Sequence, residues 1–161
     1  MDTFEAIKKR RTIRRFTGGL IPREDLEKIV DAARLAPTGS NKQPWEFVVV
    51  TDREIISKLS EGREFMNNSA AIIAVVMDTS TLWHVHDGSA AIENILLASV
   101  ALGYGACWFE GSTVPFEEKF KAILNIPAEK KLQSLVPIGV PAESPNPPKR
   151  SLEDVIHWEK Y

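Results

Sequence analysis

The stretch from Asp87 to Leu102 limits the fold more than any other part of the chain. Its residues are apolar on most faces of a helix, so neighbours have to cover that helix on nearly every side. Glu93, Asn94 and Ser99 interrupt the apolar run, and a bilayer span needs about 20 apolar residues. The stretch therefore predicts a central helix of a water-soluble core, capped by Asp87 and ended by Gly103 and Gly105.

What covers it can be read on either side. Ala71–Met77 and Phe47–Val50 are continuous apolar runs of strand length, expected to be buried on both faces. Ala106–Phe109 is expected as a third strand and Leu132–Val140 as a fourth, bent near Pro137. Between them lie helical patterns. Asp2 and Glu5 have capping-box spacing ahead of a short helix over about residues 3–10. Pro22, Glu24 and Asp25 open a second, with Leu26, Ile29, Val30 and Ala33 on one face. Asp52 can cap a third carrying Ile55, Ile56 and Leu59, and Thr113 and Pro115 open another with Phe116, Phe120, Ile123 and Leu124. Strands alternating with helices give an α/β or α+β class with a covered sheet, and 161 residues suit one domain, 1–161. From Pro141 to Pro148 four prolines rule out a regular helix or a central strand, so 141–161 reads as an extended arm.

The net charge of -2 excludes a generally basic surface for nucleic acid or an anionic membrane. One cysteine, Cys107, excludes an internal disulfide and suits a reducing cytoplasm. The opening residues, Met1-Asp2-Thr3-Phe4-Glu5, are unlike a secretory leader.

Against that neutral background one run is unusual: six of the eight residues from Lys8 to Arg15 are basic. Cations at a helix C-terminus are favourable in themselves. Yet Thr12 places a hydroxyl among the arginines, and Ile13 and Phe16 anchor the run to a core. In an extended chain Thr12 and Arg14 share a side, and arginine forks with a hydroxyl suit a phosphate dianion. The loop Ala36-Pro37-Thr38-Gly39-Ser40-Asn41-Lys42-Gln43-Pro44-Trp45 joins a helix to a strand. Gly39 allows close backbone approach to a flat ligand, and Asn41 and Gln43 offer donors and acceptors. In Gly103-Tyr104-Gly105-Ala106-Cys107-Trp108-Phe109-Glu110-Gly111 the glycines follow a helix, so this is neither a dinucleotide fingerprint nor a P-loop. His84 and His86 lack an evident third metal ligand. Cys107 has strand neighbours and reads as a core residue, while Trp83, Trp158 and Tyr161 suit interface packing.

Taken together, Arg10-Arg11-Thr12-Ile13-Arg14-Arg15-Phe16, the Ala36–Trp45 loop, the 103–111 segment, and Ile138-Gly139-Val140-Pro141 followed by Lys149-Arg150 resemble the nitroreductase family of flavoproteins in order and distance. The resemblance covers nearly the whole chain. It implies an α+β (α/β-like) fold with a mixed central sheet of about four to five strands flanked by helices. It also implies a homodimer that exchanges C-terminal arms, with FMN at the interface. Carried over residue by residue, Arg10, Arg11, Thr12 and Arg14 would hold the FMN phosphate. Pro37, Thr38, Gly39 and Asn41 would reach the flavin from the other subunit. Trp108, Glu110 and Gly111 would face the flavin N5 edge, and the late basic pair Lys149 and Arg150 would lie near the phosphate. A mid-chain polar contact has no clear counterpart, although Asn67 and Asn68 lie in that region. The implied activity is hydride transfer from NAD(P)H to flavin N5 and on to an electrophile, with no catalytic acid, base or metal assigned. A dedicated flavin reaction (dehalogenation, oxidation or flavin fragmentation), a flavin-holding protein without turnover, and a nucleic-acid module built on Lys8–Arg15 are the other readings.

Overall fold

The structure, a computed structural model, describes residues 1–110 and 114–161. In chain order its elements are α1 (Thr3–Lys9), α2 (Arg23–Arg34), β1 (Trp45–Val50), α3 (Arg53–Ser60), α4 (Glu64–Asn67), β2 (Ala71–Asp78), α5 (His84–Ala101), β3 (Gly105–Ala106), α6 (Glu117–Leu124) and β4 (Lys130–Gly139). Short 3₁₀ turns cover Gly39–Asn41 and Val114–Phe116. Thr113, expected to open a helix, lies outside the described residues.

Two of the expected caps form. Asp2 accepts from the Glu5 amide at 3.0 Å, and Asp52 accepts from the amides of Glu54 and Ile55 at 2.9 and 3.0 Å. Each satisfies amides that the first helical turn leaves without partners. The third does not. The helix α5 begins three residues before Asp87, with Trp83 in the cap position, and Asp87 lies inside it, buried. His84 supports the earlier start by donating through Nδ1 to the Thr81 carbonyl at 2.8 Å.

The sheet order is β1-β2-β4-β3, and all its ladders are antiparallel. The parallel element of the expected mixed sheet is a single bridge: Thr12 lies parallel beside Ala106, with the Ile13 amide donating to the Ala106 carbonyl at 3.0 Å. The expected third strand is interrupted. Gly105 and Ala106 pair with β4, the Cys107 amide donates to the Pro137 carbonyl, and pairing resumes where Phe109 and Leu135 exchange both bonds at 3.0 Å. Between the ladders Cys107 is buried without exposure.

The strand β2 divides the core. Ala71, Ile73, Val75 and Met77 pack with Leu26, Ile29 and Ala33 of α2 and with Ala91, Ile92, Ile95 and Leu96 of α5. Ile72, Ala74 and Val76 pack on the opposite face with Ile56, Leu59, Met66 and Phe120. Alternation along a strand sends neighbouring side chains to opposite faces, so a continuous apolar run is what a doubly covered strand requires. Asn94 of α5 and Tyr104, just beyond its end, are fastened to α2: Asn94 Nδ2 donates to the Ala32 carbonyl at 2.9 Å, and the Tyr104 hydroxyl donates to Asp25 at 2.7 Å. Among the described residues no helix is long and apolar enough to cross a membrane.

Opposite Val75 and Val76 the β4 register slips by one residue, leaving Gln133 as the extra one. The irregularity thus falls at Gln133 rather than at Pro137. Its buried amide donates to the Val85 carbonyl at 3.1 Å and to Ser89 Oγ at 3.3 Å. Gly88 makes room, because a Cβ there would lie 2.2 Å from Gln133 Oε1.

After β4 the chain stays extended. Pro141 bridges Phe16, and the Ala142 amide donates to the Arg15 carbonyl at 2.8 Å. From 147 to 161 every residue is exposed, including Leu152, Val155, Ile156, Trp158 and Tyr161.

Candidate functional site

The arginine run leaves α1 as extended chain and is held from two sides. The Thr12–Ala106 bridge fixes one, and a Cβ on Gly105 would collide with Ile13 at 2.8 Å, so only glycine admits this approach. On the other side the arm returns. Glu143 Oε1 accepts from the Arg14 and Arg15 amides at 2.6 and 3.1 Å, and Asn146 Oδ1 accepts from Arg11 at 2.9 Å. Residues distant in sequence, 10–15, 105–106 and 141–146, thus form one cluster. Part of it, Arg10, Arg11, Ile13, Gly105, Pro141 and Glu143 among them, lines a cavity of about 330 Å³ that also touches Leu96 and Val100 of α5.

The four basic-segment residues are not equally available to a ligand. Arg10 is ion-paired with Glu93 of α5 at 3.0 Å. Arg11 is largely consumed by the Lys8 and Arg10 carbonyls at 2.8 and 2.7 Å and by Asn146, but its Nε–H is buried with no partner among the described residues. Such a donor costs free energy until an acceptor reaches it. Thr12 and Arg14 are exposed. Burial pushes the Cys107 thiol pKa up, and the neighbouring Arg14 guanidinium pulls it only partly back. A thiolate nucleophile does not fit that environment.

The loop containing Pro37, Thr38, Gly39 and Asn41 forms a separate group. Ser40, Asn41 and Gln43 all have positive φ, at 52°, 55° and 50°. Internal bonds fix the turn: the Asn41 amide donates to the Thr38 carbonyl at 3.1 Å and the Gln43 amide to Thr38 Oγ1 at 3.2 Å. Outside the loop, the Gly39 amide donates to Asp87 Oδ1 at 3.1 Å, and a Cβ on Gly39 would meet Trp83 at 2.7 Å. No hydrogen bond among the described residues joins this loop to 10–14. Both groups instead meet α5, one at Asp87 and one at Glu93, separated by about 9 Å of helix rise.

Trp108 and Glu110 are bonded to each other, indole Nε1 to carboxylate at 2.7 Å, close after the strand that carries Thr12's partner. Gly111 lies outside the described residues. Lys149 and Arg150 are not brought to the arginines within this subunit. Both are exposed in the arm, where Arg150 donates to the Asp154 carbonyl at 2.5 Å. Asn67 and Asn68 sit at and just beyond the end of α4, where the Asn67 carbonyl accepts from Arg53. His84 and His86 stand in the first turn of α5, His86 edge-on to Trp83 at 5.6 Å, and no group of three metal-ligating side chains occurs among the described residues.

Sequence reasoning missed the residues that organise these groups: Glu93, Glu143, Asn146 and Trp83, and it gave Asp87 a different task. An acid in an apolar helix, Glu93, and a lone acid in a proline-rich arm, Glu143, were the available signals.

Comparison with known proteins bears on the family and the fold. Residues 7–62 and 61–140 match the model of the Nitroreductase family. A protein of Archaeoglobus fulgidus, described provisionally as an NADH dehydrogenase/NAD(P)H nitroreductase, is 39% identical over 175 residues, covering 99% of this chain and 99% of its own. An iodotyrosine deiodinase of Thermotoga neapolitana is 25% identical over 186 residues, covering 98% of each chain. The solved structure of an FMN-dependent nitroreductase from Clostridium difficile superposes with a TM-score of 0.88 at 26% identity, over 98% of this chain and 99% of that one.

Proposed function

The chain belongs to the nitroreductase family, and on that premise we propose that it is an FMN-dependent oxidoreductase that works as a homodimer in the cytoplasm. It takes hydride from NAD(P)H and delivers it to a small electrophilic acceptor such as a nitroaromatic or a quinone. One observation carries the reading. The buried, unpartnered Arg11 Nε–H lies in a cluster that also presents the exposed Thr12 and Arg14, which suits a ligand bearing a phosphate dianion. The FMN-dependent Clostridium difficile relative supports the choice of cofactor.

When bound, FMN supplies a ring that accepts hydride at N5 and gives it up again. The rest falls to the chain. Arg10, Arg11, Thr12 and Arg14 hold the phosphate end, with Arg10 steadied by Glu93. The residues Pro37, Thr38, Gly39 and Asn41 present backbone and amide groups to the ring from the partner subunit. Trp108, Glu110 and Gly111 would serve the ring edge, and Lys149 and Arg150 would come with the arm. Donors placed there would favour the negative charge that reduction brings, and no side-chain acid or base is assigned.

The dimer reading rests on the arm. Its apolar residues are exposed, without cover among the described residues of their own subunit, and such patches mark interfaces. The free edge of β1 offers a place for the partner's arm. There a groove of about 630 Å³ runs beside Leu20, Leu26, Val30 and Val49. A second reading, a dedicated flavin reaction such as dehalogenation, is favoured by the likeness to iodotyrosine deiodinase.

The purified protein should be yellow, release FMN on denaturation, and lose its flavin absorbance when NADH or NADPH is added without oxygen. A nitroaromatic or a quinone should then restore the colour. Release of FAD, or failure to retain any flavin after reconstitution, would sink the cofactor assignment. Re-oxidation by an iodinated phenol alone would move the function to the second reading.

A further inference from the structure

Asp87 is an acid buried to 5% exposure in the first turn of an apolar helix. It does not cap that helix. Its Oδ1 accepts the Gly39 amide from a loop 48 residues away, and its Oδ2 is buried with no partner among the described residues. The amide end of α5 tolerates the negative charge there, because helix N-termini favour anions. The loop that it grips is under backbone strain, with three non-glycine residues at positive φ among Ser40–Gln43. Strain of this kind persists only where surrounding contacts over-determine it. Two contacts from outside the loop do so here, the Asp87 carboxylate and the Trp83 ring against Gly39, and both come from the start of α5.

We propose that Asp87 is the positioning residue of the 37–41 loop, its carboxylate holding the Gly39 amide so that the loop is shaped before any cofactor arrives. A loop already ordered loses less conformational entropy on binding, so the benefit appears as affinity. Trp83 is the packing half of the same clamp. Because α5 also carries Glu93, the partner of Arg10, one helix anchors both ligand-facing groups of a subunit, which the dimer reading assigns to two different flavins. The proposal rests on the flavin reading only for what the loop holds, not for how the loop is held.

The test is amide hydrogen exchange, by NMR, on the full-length FMN-free protein, with FMN titration by fluorescence alongside. In the wild type the Gly39 amide should exchange at least about tenfold more slowly than that of its exposed neighbour Ser40, as a hydrogen bond to a buried carboxylate requires. Asp87→Leu should bring Gly39 to the Ser40 rate and weaken FMN binding about tenfold. Asp87→Asn, which keeps an acceptor oxygen, should restore slow exchange and hold the FMN dissociation constant within about twofold of wild type. Equal exchange of Gly39 and Ser40 in the wild type would overturn the proposal, and that comparison decides even if Asp87→Leu fails to fold. Protection that survives Asp87→Leu, or an Asn variant as impaired as the Leu one, would also overturn it. A wild type that protects Gly39 yet binds no FMN would refute the flavin reading and leave the clamp standing.

Discussion

The strand Ala71–Met77 and the arm from 147 to 161 are both supplied with large apolar residues, and they end in opposite environments. Every residue of the first is buried, and every residue of the second is exposed. Composition does not explain the difference. The strand has a ladder on each edge and a layer of helices on each face, so its backbone and side chains are satisfied together. The arm follows Pro141 and Pro145 and itself opens with Pro147 and Pro148, none of which can donate to a ladder, and the described residues of its own subunit offer it no layer. Hydrophobicity states a need for cover, and topology decides whether the same chain can meet it.

The largest effect should come from removing the arm. Deleting residues 147–161 spares the contacts of Glu143 and Asn146 with the arginine run, so the truncated subunit should fold. It should nevertheless become monomeric and lose most of its flavin. Light scattering and flavin absorbance read both, and a truncated protein that stays dimeric and yellow would place the arm outside the interface. The strand should respond differently. Ile73→Ala should leave the oligomer and its flavin in place but destabilise the fold by about 2–5 kcal/mol, measured by urea unfolding. A cost below about 1 kcal/mol would mean that β2 is less tightly packed than its burial indicates.

A smaller contrast lies in the ligand cluster. Arg14→Ala should weaken FMN binding about ten- to a hundredfold, the usual cost of a lost charge-assisted contact. Arg34→Ala removes a surface pair with Asp31, away from the arginine run, and should weaken binding less than Arg14→Ala. Equal dissociation constants for the two variants would count against the phosphate assignment. The smallest effect concerns acid. Asp25 is held below the ordinary carboxylate range, first by the Lys28 ammonium and then by the Tyr104 hydroxyl. A carboxyl depressed in the folded state stabilises above its unfolded pKa, about 4, and that contribution disappears as pH falls through the folded value. Tyr104→Phe should therefore lower Tm slightly at pH 6, with the gap to wild type closing in strong acid. A gap that widens as the pH falls would reverse the assignment.

Local chemistry made much of this fold legible. Asp2 and Asp52 announce helix starts because a cap is a contact across three residues, and the Ala71–Met77 run announces burial by its length and composition. Asp87 looked like a third cap for the same reason. The structure gives it a partner 48 residues away, and no local pattern records such a choice. The short helix α4 and the break in the third strand at Cys107 were illegible for a related reason. Both depend on what packs against them rather than on spacing. At the candidate site, the arginine run and the 37–41 loop stood out as residue types, but not the acids that steady them, Glu93 and Glu143.

The slipped residue in β4 has a consequence for how that strand is written. Side chains along a strand alternate with even and odd position, so Leu132 and Leu135 should point to opposite faces. Both nonetheless belong to the same cluster, with Ile56 and Phe120, while Val136 and Ile138 belong to the other. Gln133 acts as an inserted beat that swaps the parity of everything before it. Upstream, even positions face the α3 and α6 side, and downstream, odd ones do. Deleting Gln133 would put Leu132 and Leu135 two positions apart and return the strand to plain alternation, with both groups on their present faces. What the deletion would remove is the buried Gln133 amide and its bonds to Val85 and Ser89 of α5. The glycine at 88, which admits the Gln133 side chain, is therefore the accommodation in α5 for a change of phase in its neighbour.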